Sequence, residues 1–230
     1  MKKIISVLMA VVLLSTMLCG CNVNKGNAGS TKTQANSFSQ EQLLGTWTLR
    51  FTYNAFFKNM ATMKDAPLWV TLMANVSTKA RFEMTFTFSE DGTCTSVADA
   101  EDVTIATEQF MADVQSYFHD GGVYDLLYKE NGWGKAMVDK KLQEQGKTVA
   151  EYADETVENL LPAMESLFAE MAVETTVDYT LEGTILTLLS GGETVSRLFC
   201  RYNDESEVVF KQDSPDDICF YAGMGMTKAE

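Results

Sequence analysis

The stretch Leu43-Leu44-Gly45-Thr46-Trp47-Thr48-Leu49-Arg50-Phe51-Thr52-Tyr53 decides the fold class. Trp47, Leu49, Phe51 and Tyr53 fall at every second position, with Thr46, Thr48, Arg50 and Thr52 between them. Side chains along a strand point alternately to opposite faces, so this pattern predicts a strand with one buried and one solvated face. Downstream, Phe82, Met84, Phe86 and Phe88 alternate in the same way with Arg81, Glu83, Thr85 and Thr87. Ser89-Glu90-Asp91-Gly92 follows, and Asp-Gly is a strong hairpin signal. The partner strand runs from Thr93 to about Ala100.

Beyond Thr104 the period changes. Phe110, Met111, Val114, Tyr117 and Phe118 follow helical spacing, and Gly121-Gly122 stops that helix. Val123–Glu130 reads as a short helix ended by Asn131-Gly132, and Lys135–Gln145 as another ended by Gly146. Thr148-Val149-Ala150-Glu151 is a capping box, in which Thr and Glu satisfy each other's free backbone donors. It opens a helix reaching about Ala172, with Ala153, Val157, Leu160, Leu161, Met164, Phe168 and Met171 on one stripe. Pro162 predicts a kink there or a break into two helices. Between the first two strands, Leu68–Val76, after Pro67, reads as a short helix.

From Glu174 the strands return. Val177, Tyr179 and Leu181 alternate, Glu182-Gly183 turns, Thr184–Leu189 is a strand, and Gly191-Gly192 turns again. Thr194–Tyr202, Glu207–Lys211 and Asp217–Tyr221 complete the set. Three strands, a helical block over about 102–172 and five strands predict a mainly β chain with a helical subdomain between strands 3 and 4. Eight antiparallel strands with tight turns close into an up-and-down barrel, which removes exposed edges, or pack as a sandwich.

The first residues are set apart from the fold. Lys2 and Lys3 precede an apolar run from Ile4 to Leu18, followed by Leu18-Cys19-Gly20-Cys21. This resembles a bacterial lipoprotein signal peptide with its lipobox. The resemblance implies cleavage before Cys21, acylation of that cysteine, and a membrane-anchored, extracytoplasmic chain. Asn22, in place of Asp, does not match an inner-membrane retention signal. The apolar run is shorter than the ~20 residues that span a bilayer. Residues 22–40, rich in Asn, Gly, Ser, Thr, Lys and Gln, read as a polar tether with a root-mean-square reach of roughly 25 Å.

Three segments of the folded part point to one family. Leu43-Leu44-Gly45-Thr46-Trp47 resembles the Gly-x-Trp opening of lipocalins and related calycin barrels. The hairpin Phe88-Ser89-Glu90-Asp91-Gly92-Thr93 and the run Leu181-Glu182-Gly183-Thr184-Ile185-Leu186-Thr187-Leu188 are similar to those of small lipoproteins with lipocalin-like domains. The resemblance covers residues 41–100 and 174–230. It implies a barrel that binds a small molecule, and a late basic residue, Arg197 or Arg201 here, packed over the opening tryptophan.

Composition narrows the function classes. The 230 residues are 46% hydrophobic and 22% charged, an ordinary globular balance. Lys plus Arg is 18 and Asp plus Glu 32, a net charge of −14. Without Lys2 and Lys3 the mature chain has 16 bases against 32 acids, or −16. Such an acid excess excludes phosphate-backbone binding, so no nucleic-acid partner is expected. Residues 101–172 hold 15 acidic and 5 basic side chains, which places most of the excess on outer helix faces.

The aromatic residues Trp47, Phe51, Phe82, Phe86 and Tyr179 are the expected wall of a ligand cavity, with a side-chain-filled core as the alternative. Export permits disulfides, and Cys200 and Cys219 lie on strands that a bridge would join. The third domain thiol is Cys94. His119, the only histidine, precedes Asp120 and Gly121-Gly122 at a helix end, where partial positive charge is favourable. No nucleophile motif accompanies it, and no Gly-x-Ser-x-Gly, P-loop, zinc spacing or EF-hand loop implies a cofactor. The acidic runs Asn203-Asp204-Glu205 and Asp213–Asp217 read as solvated turns. A non-catalytic binding module for a small apolar ligand or an envelope partner is the leading expectation. A filled barrel whose acidic helices make the contacts comes second, and a hydrolase third.

Overall fold

The computed structural model describes residues 39–62, 66–204, 207–212, 221 and 223–229. Residues 1–21 and most of the expected tether lie outside them, as do all of Asp213–Asp217, Glu205 and the side chains of Asn203 and Asp204. The chain divides into two compact units. One takes its residues from Met1–Phe51, Glu83–Ala98 and Val173–Glu230, the other from Thr52–Phe82 and Asp99–Ala172.

The first unit is built on a closed eight-stranded barrel, which excludes the sandwich. Its strands are β1 (Gly45–Thr52), β2 (Arg81–Phe88), β3 (Thr93–Ala98), β4 (Thr175–Glu182), β5 (Ile185–Ser190), β6 (Glu193–Asp204), β7 (Glu207–Gln212) and β8 (Gly225–Lys228). Each pairs with its sequence neighbours, and antiparallel pairing of β8 with β1, Trp47 opposite Lys228, closes the ring. The expected last strand, Asp217–Tyr221, is corrected. Its residues 217–220 lie outside the described ones, Tyr221 is in a turn, and the closing strand is Gly225–Lys228. The reason is register: Met226 pairs with Leu49 and with Val208, which puts one more buried side chain into the row.

The first hairpin forms as its turn chemistry dictates. Gly92 has φ +84, which a Cβ disfavours. The Asp91 carboxylate accepts from the Thr93 N–H at 3.0 Å and its hydroxyl at 2.7 Å, and these bonds hold the carboxyl below its ordinary pKa. A short helix, α1 (Gln40–Leu43), precedes β1. Ser39 and Gln42 form a capping box on it, so the expected tether ends inside the helix.

The second unit is helical. Its elements are α2 (Tyr53–Ala61), α3 (Leu68–Met73), α4 (Ala100–Tyr117), a π-helical turn (Phe118–Gly122), α5 (Val123–Asn131), α6 (Lys135–Glu144), α7 (Val149–Ala169) and a 3₁₀ turn, Glu170–Ala172. Tyr53 corrects the strand reading: it opens α2 rather than extending β1. It satisfies two periods at once, and spacing i, i+3, i+4 with Phe56 and Phe57 prevails because it buries all three rings together. Tyr53 stacks on Phe110 at 4.8 Å and lies 4.5 Å from Phe168, while Phe57 stacks on Phe110 at 5.1 Å.

Asp99 caps α4 by accepting from the Glu101 and Asp102 N–H groups. Thr148 and Glu151 form the expected capping box on α7. The expected break at Pro162 does not occur, and α7 runs unbroken from Val149 to Ala169. Pro162 removes one backbone donor, but Pro162 and Glu158, four residues earlier, are both exposed, so the carbonyl it frees stands on the solvent side of the helix. Leu160, Met164 and Phe168 bury the opposite face on both sides of it.

The π-helical turn depends on a glycine. A Cβ on Gly122 would meet the Tyr117 ring at 2.6 Å and the Tyr117 carbonyl oxygen at 2.9 Å. Gly122→Ala is therefore expected to cost about 1–3 kcal/mol by overpacking, read as a lowered denaturation midpoint at unchanged slope. A midpoint equal to the wild type would show that the turn yields freely.

Candidate functional site

Among the described residues, the buried side chains of the barrel strands form an apolar row. On β1 it is Trp47, Leu49 and Phe51; on β2, Met84, Phe86 and Phe88; on β3, Cys94 and Ala98; on β4, Tyr179. Leu186, Leu188, Leu198, Cys200, Val208, Phe210 and Met226 carry it round the remaining strands. Four of the five expected wall residues, Trp47, Phe51, Phe86 and Tyr179, belong to this unit. Phe82 does not: it belongs to the helical unit, where its ring meets Tyr53 edge-on at 5.9 Å.

The opening motif stands where the first and last strands of the ring pair, with Trp47 opposite Lys228. Gly45 has φ +107, and the Lys228 stem passes 3.6 Å from where its Cβ would stand. The Trp47 indole N–H donates to the Leu43 carbonyl at 2.7 Å. The Lys228 ammonium lies 5.4 Å from the Trp47 ring centroid and donates to the Gln42 carbonyl at 3.3 Å. The base over the tryptophan is thus Lys228, where the resemblance pointed to Arg197 or Arg201. Sequence reasoning missed it because the closing strand was placed too early. The alternation Met224, Met226 and Lys228 was the available signal.

Tyr179 ties neighbouring segments together. Its hydroxyl donates to the Ser89 carbonyl at 3.1 Å, and its ring meets Phe88 edge-on at 5.2 Å. Tyr221, from the connection between β7 and β8, places its ring 5.8 Å from Phe86 and 6.4 Å from Phe210. Phe86 and Phe210 stand on strands that are not neighbours in the ring, so one aromatic side chain of the chain itself reaches both. In the sequence Tyr221 stands out only as the end of the expected strand Asp217–Tyr221.

The thiols divide. Cys94 is 1% exposed on β3, and burial pushes it up to about 12. The thiolate is the reacting form, so Cys94 is expected to resist iodoacetamide in the native protein and to react once denaturant is added. Native alkylation as fast as that of a free thiol would show that the row opens. Cys200 is fully buried on β6, and Cys219, its expected disulfide partner, lies outside the described residues.

His119 sits in the π-helical turn of the helical unit. Its Nε2 lies 2.7 Å from Asp154 Oδ1 on α7, not against Asp120, and Gln115 donates to the same oxygen at 3.0 Å. An ionised carboxylate only accepts, so the His119 Nε2 carries the proton. The hydrogen bond from His119, then that from Gln115, holds the Asp154 carboxyl below its ordinary range. A carboxyl depressed in the folded state stabilises it above the unfolded value, and that contribution is lost as pH falls through the folded value. Asp154→Asn is therefore expected to flatten the acid limb of stability against pH below about 4. Urea titrations across that limb check it, and an unchanged limb would remove the pair from the account.

Among the described residues, no group of three or more His, Cys, Asp or Glu could hold a metal ion, and no helix is long and apolar enough to cross a membrane. Compared with known proteins, the chain matches no family, no curated protein and no solved structure.

Proposed function

We propose that the chain is a membrane-anchored, extracytoplasmic lipoprotein whose lipocalin-like barrel is a non-catalytic binding module for a small apolar molecule. The observation that carries this reading is the barrel's buried row, whose side chains, among the described residues, are aliphatic, aromatic or thiol. Small-molecule sites are mostly apolar and concave, and the mouth of a β-barrel is one of their usual places. The Gly45-x-Trp47 opening with Lys228 over the ring supports the family resemblance. Leu18-Cys19-Gly20-Cys21 supports lipidation at Cys21. The test is native mass spectrometry of the protein purified from its own host, followed by titration of the delipidated barrel with a lipophilic fluorophore. A co-purifying apolar compound and saturable fluorophore binding are expected. Neither compound nor saturation would overturn the binding reading, and a Cys21 peptide without acyl mass would overturn the anchor.

Tyr221 favours a second reading. A ring reaching both Phe86 and Phe210 occupies space that a ligand would take. In that case the barrel is a filled scaffold and the acidic helical unit makes contacts with an envelope partner.

A further inference from the structure

The asparagine side chains of the helical unit are held in place, with one exception. Asn54 donates its amide to the Val76 carbonyl at 3.2 Å, and Asn159 to the Glu155 carbonyl at 2.6 Å. Asn75 shares a hydrogen bond with the Tyr117 hydroxyl, and Asn59 is engaged as well. Among the described residues, no hydrogen bond holds the Asn131 amide, and the residue is exposed. Asn131 is also the one asparagine in the chain that glycine follows.

That pairing carries chemistry. The main-chain nitrogen after an asparagine attacks the side-chain amide carbon. The new N–C bond closes a five-membered succinimide while the amide C–N bond breaks. The amide nitrogen departs as ammonia, taking the proton that the main-chain nitrogen gives up. Water then opens the ring at either carbonyl and leaves aspartate or isoaspartate. Glycine favours the closure because no Cβ crowds the approaching backbone. Asp91-Gly92 and Asp120-Gly121 also precede glycine, but an ionised carboxylate repels a nucleophile, and Asp91 is further held by Thr93.

Asn131 is the last residue of α5, and Gly132 caps the helix at φ +71. In the closed turn the Gly132 N–H donates to the Tyr128 carbonyl at 2.7 Å, so its nitrogen is occupied. Attack therefore needs the last turn to open. Helix ends are among the first parts of a fold to fray. No heavy atom beyond its chain neighbours lies within 4 Å of the place a Gly132 Cβ would take, so the opened turn has room to move.

We propose that Asn131 deamidates spontaneously through a succinimide with Gly132 whenever the last turn of α5 opens. Each conversion adds a negative charge at the helix end that already carries the partial negative charge of free carbonyls. Isoaspartate also lengthens the main chain by one carbon, which draws the Gly132 N–H away from the Tyr128 carbonyl. The α5–α6 connection thus loosens as the protein ages.

Peptide mass spectrometry tests it. The purified full-length protein is held for days in mildly alkaline buffer made with heavy-oxygen water. Trypsin then cuts after Lys129 and Lys135 and isolates residues 130–135. This peptide is expected as a mixture of aspartate and isoaspartate forms, each carrying one heavy oxygen, while Asn54, Asn75 and Asn159 stay intact. A parallel sample unfolded in guanidinium chloride gives the rate of the open chain. The folded protein should convert at no less than about one tenth of that rate, because helix ends open at a cost near zero. Asn131→Gln, which would need a six-membered ring, should remove the conversion and leave the far-UV circular dichroism unchanged. An intact Asn131 in the folded protein overturns the proposal, whether or not the unfolded chain converts. Aspartate without isoaspartate would mean direct hydrolysis and overturn the cyclic route. Earlier conversion at Asn54, Asn75 or Asn159 would overturn the assignment to Asn131.

Discussion

Phe57→Ala is expected to destabilise the helical unit by about 3–5 kcal/mol, the usual cost of deleting a buried aromatic ring. Phe57 is 0% exposed. Its ring stacks on Phe110 at 5.1 Å and meets Phe56, Trp69 and Phe168 edge-on at 5.2, 6.2 and 6.1 Å. Four helices therefore lose a shared neighbour at once. They cannot all move in to fill the hole, because the Tyr53 hydroxyl is held at 2.8 Å by Thr107, whose own hydroxyl donates to the Val103 carbonyl. Urea unfolding followed by far-UV circular dichroism measures the loss. Phe57→Leu keeps most of the volume and should cost much less. Equal and small effects for the two variants would mean that the cluster repacks and that its rings are interchangeable.

Trp47→Ala is expected to be as costly for the barrel, again about 3–5 kcal/mol. The ring is fully buried, and it is the point where α1, β1 and β8 meet through Leu43, Gln42 and Lys228. Trp47→Phe separates the contributions. It keeps a ring under Lys228 but leaves the Leu43 carbonyl without its donor, a loss of about 1–3 kcal/mol if water cannot replace it. Lys228→Met removes only the cation, worth about 0.5–1 kcal/mol at an exposed site. Hydrogen exchange of the β1 and β8 amides ranks the three. The ordering Ala, then Phe, then Met is expected, and a Lys228→Met effect equal to that of Trp47→Ala would make the lysine, not the ring, the closure of the barrel.

The opening strand, the first hairpin and the helices after Ala100 were legible because their signals are local. Alternation at Trp47, Leu49 and Phe51, the Asp91-Gly92 turn and the Thr148–Glu151 capping box each act within a few residues. Tyr53 was misread because one residue can serve two periods, and only the distant rings of Phe110 and Phe168 choose between them. Of the two outcomes expected at Pro162, a kink or a break, the break does not occur, because a proline on an exposed helix face frees a carbonyl that stands at the solvent side.

The candidate site was legible only in part. The burial of Trp47, Phe51, Phe86 and Tyr179 was legible in their alternation. Tyr221 and Lys228 were not, since their importance comes from partners on strands far away in the chain. The pairing of His119 with Asp154 spans 35 residues and two helical segments, and Asp120 was the nearer acid in sequence alone.

By itself the sequence determined the faces of β1 as far as Phe51, the first hairpin and the helix caps, because each depends on residue type at short spacing. The tertiary structure alone decided the barrel over the sandwich, the closing strand Gly225–Lys228, the lysine over Trp47 and the assignment of Phe82 and Tyr53 to the helical unit. Those outcomes turn on which distant apolar surfaces bury each other, and burial is a property of the folded chain as a whole.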